Sequence, residues 1–241
     1  MRRLLLLALL AATPALAGPP YLTDDPVPTE LGHFETYAFT TGTDRRGDTG
    51  GEAGIEINYG AAKNLQLSID LPLGYDAPRG GGATAGVADI GIGAKYLFLT
   101  QEDFGWDVSF YPSAEIPARS RAALGDGRPS YFLPVWAQKD WGDWSTFGGG
   151  GYNIHSGADA RGYWFMGWAL TRKLSDNLEI GAEIYHGTPD ARDAKASTGL
   201  GAGAIWRLDD HYSLLASFGP GIQNAAETQR FEWYAALGYT F

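Results

Sequence analysis

Between Leu65 and Tyr75 apolar and polar residues alternate without a break. Leu65, Leu67, Ile69, Leu71, Leu73 and Tyr75 share one parity, and Gln66, Ser68, Asp70, Pro72 and Gly74 share the other. A period of two is a strand with one apolar face. Similar segments recur down the chain, with apolar sets such as Ile55, Ile57, Tyr59; Ile90, Ile92, Tyr96, Phe98; Trp106, Val108, Phe110, Ile116; and Leu178, Ile180, Ala182, Ile184. Repeated strands of this kind, polar or glycine on the second parity, specify an all-β fold: a transmembrane antiparallel up-and-down β-barrel of the outer-membrane type.

The rest of the chain is compatible with that destination. Residues 1–17 carry Arg2 and Arg3, a leucine-rich run from Leu4 and a final Ala15-Leu16-Ala17, the layout of a cleaved secretory signal. No later stretch approaches the roughly 20 continuous apolar residues of a membrane helix, so nothing would stop export at an inner membrane. Residues 18–31 are rich in proline and acid, too polar and broken for a strand, and are expected either in the periplasm or folded into the lumen as a small plug. Residues 32–241 are then the barrel, one domain without a linker. Cysteine is absent. Closure of the sheet, which pairs every strand edge, must therefore stabilise the fold without disulfides. The formal net charge of −10 argues against a nucleic-acid partner.

Turn lengths give strand number and orientation. Short connections are expected near Ala61–Asn64, Thr100–Gly105, Asp140–Asp143, Leu174–Asn177 and Leu208–His211, and longer ones near Gly42–Gly51, Asp76–Gly86, Ala118–Pro129, His155–Gly162, Gly187–Ala196 and Ile222–Gln229. Such alternation implies about twelve strands, short periplasmic turns, long extracellular loops and both ends periplasmic. Pro72, Pro112 and Pro134 fall within strands and predict bulges, kinks or early endings. Ser130–Gln138 has apolar residues on both parities, Phe132 and Trp136 against Tyr131, Leu133 and Val135, and its faces stay open. The last strand puts Phe231, Trp233, Leu237, Tyr239 and Phe241 outward, and its aromatic end resembles the signal read by barrel-assembly machinery.

Inward parity carries Glu35, Glu52, Glu56, Asp70, Asp89, Lys95, Asp107, Glu115, Glu179, Glu183 and Glu232. A low-dielectric wall around one sign of charge favours cations or neutral solutes over anions; the same acids would equally rigidify a closed barrel by pairing with Lys95 and Arg230. Tyr37, Tyr111, Phe147, Tyr163, Phe165, Tyr185 and Tyr234 also point inward, as a path for aromatic solutes or as simple filling. Twelve strands lie between the eight that side chains fill and the sixteen that hold open water, so a narrow conduit fits. Arg45, Arg46, Arg79, Arg119, Arg121, Arg128, Arg161, Arg192, Lys195 and Arg230 sit in or beside the outer loops, where arginine forks suit lipopolysaccharide phosphates.

A lipid-modifying enzyme, hydrolase or acyltransferase, would need a histidine-activated nucleophile near the outer rim. His155 and His186 are near that rim but a strand apart, Ser156 adjoins His155, and His211 belongs to a periplasmic turn. The histidines lack metal-ligand spacing, and nothing in the sequence requires a cofactor.

Several segments resemble the outer-membrane family named for the MetA pathway of phenol degradation. They are Pro20-Tyr21-Leu22-Thr23-Asp24-Asp25-Pro26, Gly32-His33-Phe34-Glu35, Asn58-Tyr59-Gly60, Asn64-Leu65-Gln66-Leu67, Phe132-Leu133-Pro134-Val135-Trp136 with Gln138-Lys139, Gly148-Gly149-Gly150-Gly151-Tyr152, Tyr163-Trp164-Phe165, and Gly181-Ala182-Glu183 ahead of His186 and Thr188-Pro189-Asp190. The resemblance implies a barrel that moves small, aromatic or hydrophobic compounds across the outer membrane. The expectation is therefore a passive channel, with a closed structural or lipopolysaccharide-binding barrel as the alternative and a lipid-modifying enzyme as the third reading.

Overall fold

The computed structural model describes residues 20–45, 47–118, 124, 128–155 and 160–241; the signal expected over residues 1–17 lies outside them. The strand segments are β1 (Phe34–Arg45), β2 (Asp48–Ala62), β3 (Leu65–Ala77), β4 (Thr84–Val87), β5 (Ile90–Leu99), β6 (Asp107–Phe110), β7 (Ser113–Ile116), β8 (Ser130–Trp141), β9 (Trp144–Ile154), β10 (Tyr163–Ser175), β11 (Leu178–Gly187), β12 (Ser197–Arg207), β13 (Tyr212–Gln223) and β14 (Phe231–Thr240). β4 and β5 both pair with β3, and β6 and β7 both lie between β5 and β8. The segments thus make twelve antiparallel crossings, and β1 pairs with β14 to close the barrel. Phe34 and Phe241 exchange backbone hydrogen bonds of 2.8 and 3.0 Å, so the last residue seals the seam.

Alternation decides the faces as the sequence implies. Ile55, Leu67, Ile69, Leu71, Leu73, Ile92, Tyr96, Phe98, Ile180, Ile184 and Leu237 are all exposed on the outer wall, while Tyr37, Lys95, Ser109, Tyr185 and Ile205 are buried inside. β8 resolves in favour of Tyr131, Leu133 and Val135 outward, with Trp136 inward at 2% exposure. Outward aromatics gather at both ends. At the short-turn end Phe34 stacks on Tyr59 and Phe241, and Tyr239 lies tilted against Tyr212, with centroids 4.5–5.2 Å apart. At the other end Tyr152 meets Trp164 at 5.2 Å. Two such girdles flanking an apolar band are what an interface with headgroups on each side selects.

The prolines act by what they cannot donate. Pro112 separates β6 from β7, and Tyr111 instead donates across to the Pro134 carbonyl at 3.1 Å while Ala94 donates to the Pro112 carbonyl at 3.1 Å. The register against β5 and β8 is unchanged across the gap, so the strand is interrupted without a bulge. Beside Pro72 the register does slip, from Leu73↔Val87 to Asp70↔Gly91, which splits β4 from β5.

One loop expectation fails. Gly42–Gly51 is not a long loop: β1 and β2 stay paired to Arg45↔Asp48. Glycine there reads as a turn signal, but its role is steric, because the Trp233 ring and the Tyr75 hydroxyl lie across the space a Cβ of Gly42 would fill. The short turns fall where expected. In the turn before β13 the Asp209 carboxylate accepts the backbone N–H groups of Tyr212 and His211 at 2.7 and 2.8 Å, which holds its pKa below the usual carboxylate range.

Candidate functional site

The N-terminal segment enters the barrel. It is anchored at the rim, where Leu31 bridges to Gly60 and Gly32 donates to the Gly60 carbonyl at 2.8 Å. From there Thr29 donates its backbone N–H and hydroxyl to Gln66 Oε1 at 2.8 and 3.1 Å, and Gln66 in turn donates to Asn58 and Ser68 at 2.9 and 3.0 Å. At its centre Lys95, 2% exposed, donates to Asp24 at 3.0 Å and stands 5.0 Å from the Tyr111 ring. At its far side Glu183 accepts the backbone N–H groups of Leu22 and Thr23 at 3.1 and 2.9 Å and the Thr23 hydroxyl at 2.8 Å. Ser217 donates to the Pro20 carbonyl. Pro20, Thr23 and Pro26 are fully buried.

The wall is shaped for this segment. Tyr21 packs 6.0 Å from Phe147, and a Cβ on Gly203 would stand 2.9 Å from both the Tyr21 ring and the Ala216 carbonyl oxygen. Gly203→Ala is expected to lower stability by about 1–3 kcal/mol through this overpacking. Heating the folded protein until its compact electrophoretic band disappears measures the loss; pairing the change with Tyr21→Ala should recover part of it, and full persistence of the loss would mean that the crowding lies elsewhere.

Of the residues expected in the lumen, Glu52, Glu56, Asp70, Asp89, Tyr111 and Glu115 come together. They line a cavity of about 410 Å³ on the long-loop side, with Phe39, Tyr234, Arg128 and His155. Tyr163, Phe165 and Tyr185 line a second cavity of about 320 Å³, floored by Leu22 and rimmed by Arg45, Asp190 and Lys195. The others are engaged. Lys95 and Glu183 hold the N-terminal segment, and Phe147 packs on Tyr21. Glu35 is buried and accepts from Tyr37 at 3.3 Å. Glu179 lies 3.7 Å from Arg207. Asp107 accepts from the Gln101 backbone at 2.7 Å, and Glu232 accepts from Gln229 at 2.7 Å. Arg45 and Arg128 face the two cavities; Arg46, Arg119 and Arg121 lie outside the described residues. Phe39 escaped the sequence reading, although it shares the parity of Tyr37.

The histidines make no activated nucleophile with Thr198. His186 Nδ1 is 2.8 Å from the Thr198 oxygen, but that hydroxyl donates its proton to Gln223 at 2.6 Å. A base must instead receive that proton. His211 contacts the Thr240 carbonyl at 2.9 Å, and Ser156 lies outside the described residues.

Residues 29–239 match the family of the MetA pathway of phenol degradation. The chain belongs to this family. Among solved structures an outer membrane channel of Pseudomonas putida F1 is similar over 90% of this chain and 98% of its own, with a TM-score of 0.73 at 14% identity. The NanC porin is similar over 86% of this chain and 98% of its own, with a TM-score of 0.58 at 10% identity. At such identities the likeness establishes the fold, which is that of outer-membrane barrels. No curated protein sequence matches the chain.

Proposed function

We propose that this member of the family is an outer-membrane channel for small solutes, passive, cation-preferring and narrowed by its own N-terminal segment. The observation that carries the reading is the 410 Å³ cavity inside the barrel, into which five carboxylates project, Glu52, Glu56, Asp70, Asp89 and Glu115. Their charge acts across a low-dielectric wall, where it is screened far less than at an open surface. Family membership and the similarity to a channel and a porin support the same reading.

Ion selectivity tests it. Replacing Glu52 and Asp70 by Gln and Asn should leave the folded barrel intact and reduce its preference for potassium over chloride, read as a reversal potential moving toward zero in a salt gradient. An unchanged reversal potential would remove these acids from the solute path.

The course of residues 20–31 through the lumen favours a second reading, a barrel closed in its resting state that serves as a structural or lipopolysaccharide-binding element. Absence of conductance together with binding of lipopolysaccharide that falls when Arg79, Arg161 and Arg192 are replaced would establish it.

A further inference from the structure

The 410 Å³ cavity is lined by two adjoining patches of different chemistry, and we propose that it binds an organic cation, a compound with one ammonium-type head and a body of about one aromatic ring. The proposal rests on the barrel being a solute channel and names the class of solute that its lumen selects. In one patch stand the carboxylates of β2, β3 and β7, Glu52, Glu56, Asp70 and Glu115. Glu56 and Asp70 are direct cross-strand neighbours on the inward parity. Like charges so placed destabilise a sheet. A cation between them removes the penalty.

The acids are incompletely answered by the protein. Glu56 accepts from Asn58 at 2.7 Å and Glu115 from Ser130 at 2.8 Å, both neutral donors. Among the described residues Glu52 and Asp70 have no hydrogen-bond or ion-pair partner. Among the described residues, Arg128 and His155 are the basic groups that line the space with these carboxylates, and Lys95 acts on Glu56 from beyond it.

Beside the carboxylates, on the adjoining strands β1 and β14, Phe39 and Tyr234 stack with centroids 6.3 Å apart and 9° between their planes, and both line the cavity. The buried Tyr234 hydroxyl has no hydrogen-bond partner among the described residues. Aromatic faces attract cations through the ring quadrupole and shelter apolar bodies, which bare carboxylates do not. A metal ion fits less well. No three carboxylates or histidines among the described residues converge as ligands, whereas calcium takes six or more oxygens. Spread negative charge beside aromatic rings in a ligand-sized space suits a large, weakly hydrated cation with an apolar body.

Benzylammonium is the probe, with benzyl alcohol, methylammonium and benzoate as controls, titrated calorimetrically into the full mature protein folded in detergent. Benzylammonium should bind about tenfold more tightly than benzyl alcohol or methylammonium, and benzoate should not bind. Combining Glu52→Gln with Asp70→Asn should weaken benzylammonium about tenfold. Phe39→Leu should weaken benzylammonium while leaving methylammonium unchanged. Equal binding of benzyl alcohol, or an acid double variant that binds benzylammonium as the unaltered protein does, overturns the proposal; retention of the compact electrophoretic band shows that each variant is folded. Binding by a barrel that carries no current would sustain the site and defeat the channel. Current without benzylammonium binding would defeat the site and leave the channel standing.

Discussion

Deleting residues 20–28 should raise the single-channel conductance of the reconstituted barrel severalfold. The segment occupies the bore, with Pro20, Thr23 and Pro26 fully buried between strands on opposite sides. It is held by side chains rather than by sheet pairing, apart from the Leu31 bridge to Gly60, which the deletion spares. A twelve-stranded bore is wide enough to conduct once this filling is gone. The barrel itself should persist, because its closure rests on the β1–β14 ladder and the Phe34–Phe241 pair. Conductance equal to that of the intact protein would place the constriction elsewhere.

Lys95→Met should release the same segment without removing it. Lys95 is 2% exposed and its partner Asp24 is 23% exposed, so truncating the lysine leaves a half-sheltered carboxylate near Asp25 and Glu56. Breaking a pair of this kind costs about 3 kcal/mol, roughly a hundredfold in the balance between docked and undocked segment. The loss falls on docking and not on the strand ladders. Protease should then cut within residues 20–28 of the folded variant and conductance should rise, while the temperature at which the barrel unfolds moves little. Adding Asp24→Asn should restore part of the docking. A Lys95→Met protein as resistant and as quiet as the original would show that the ion pair does not hold the segment.

The barrel was legible because its code is local. Parity along Leu65–Tyr75 or Leu178–Ile184 depends on neighbours two residues apart, and the wall exposes the residues that parity assigned. Where both parities were apolar, as in Tyr131–Trp136, local information ran out, and the pairing of β8 with β6 and β9 decided that Trp136 faces inward. Glycine misled at Gly42–Gly51, where it admits rings from Trp233 and Tyr75 instead of marking a loop. The place of the N-terminal segment was beyond local reading altogether. Its anchors lie far along the chain, with Glu183 160 residues from Thr23 and Lys95 71 residues from Asp24. The acidic cavity was partly legible: parity gave its carboxylates, but not that Glu52, Glu56, Asp70, Asp89 and Glu115 share one space while Glu179 and Glu183 serve elsewhere.

The most direct test of the central claim is a salt-gradient recording on the folded barrel, residues 18–241, in a planar lipid bilayer. The account predicts discrete openings of small amplitude whose reversal potential has the sign for cation preference. A correctly folded barrel that stays silent, or one that prefers chloride, would contradict it.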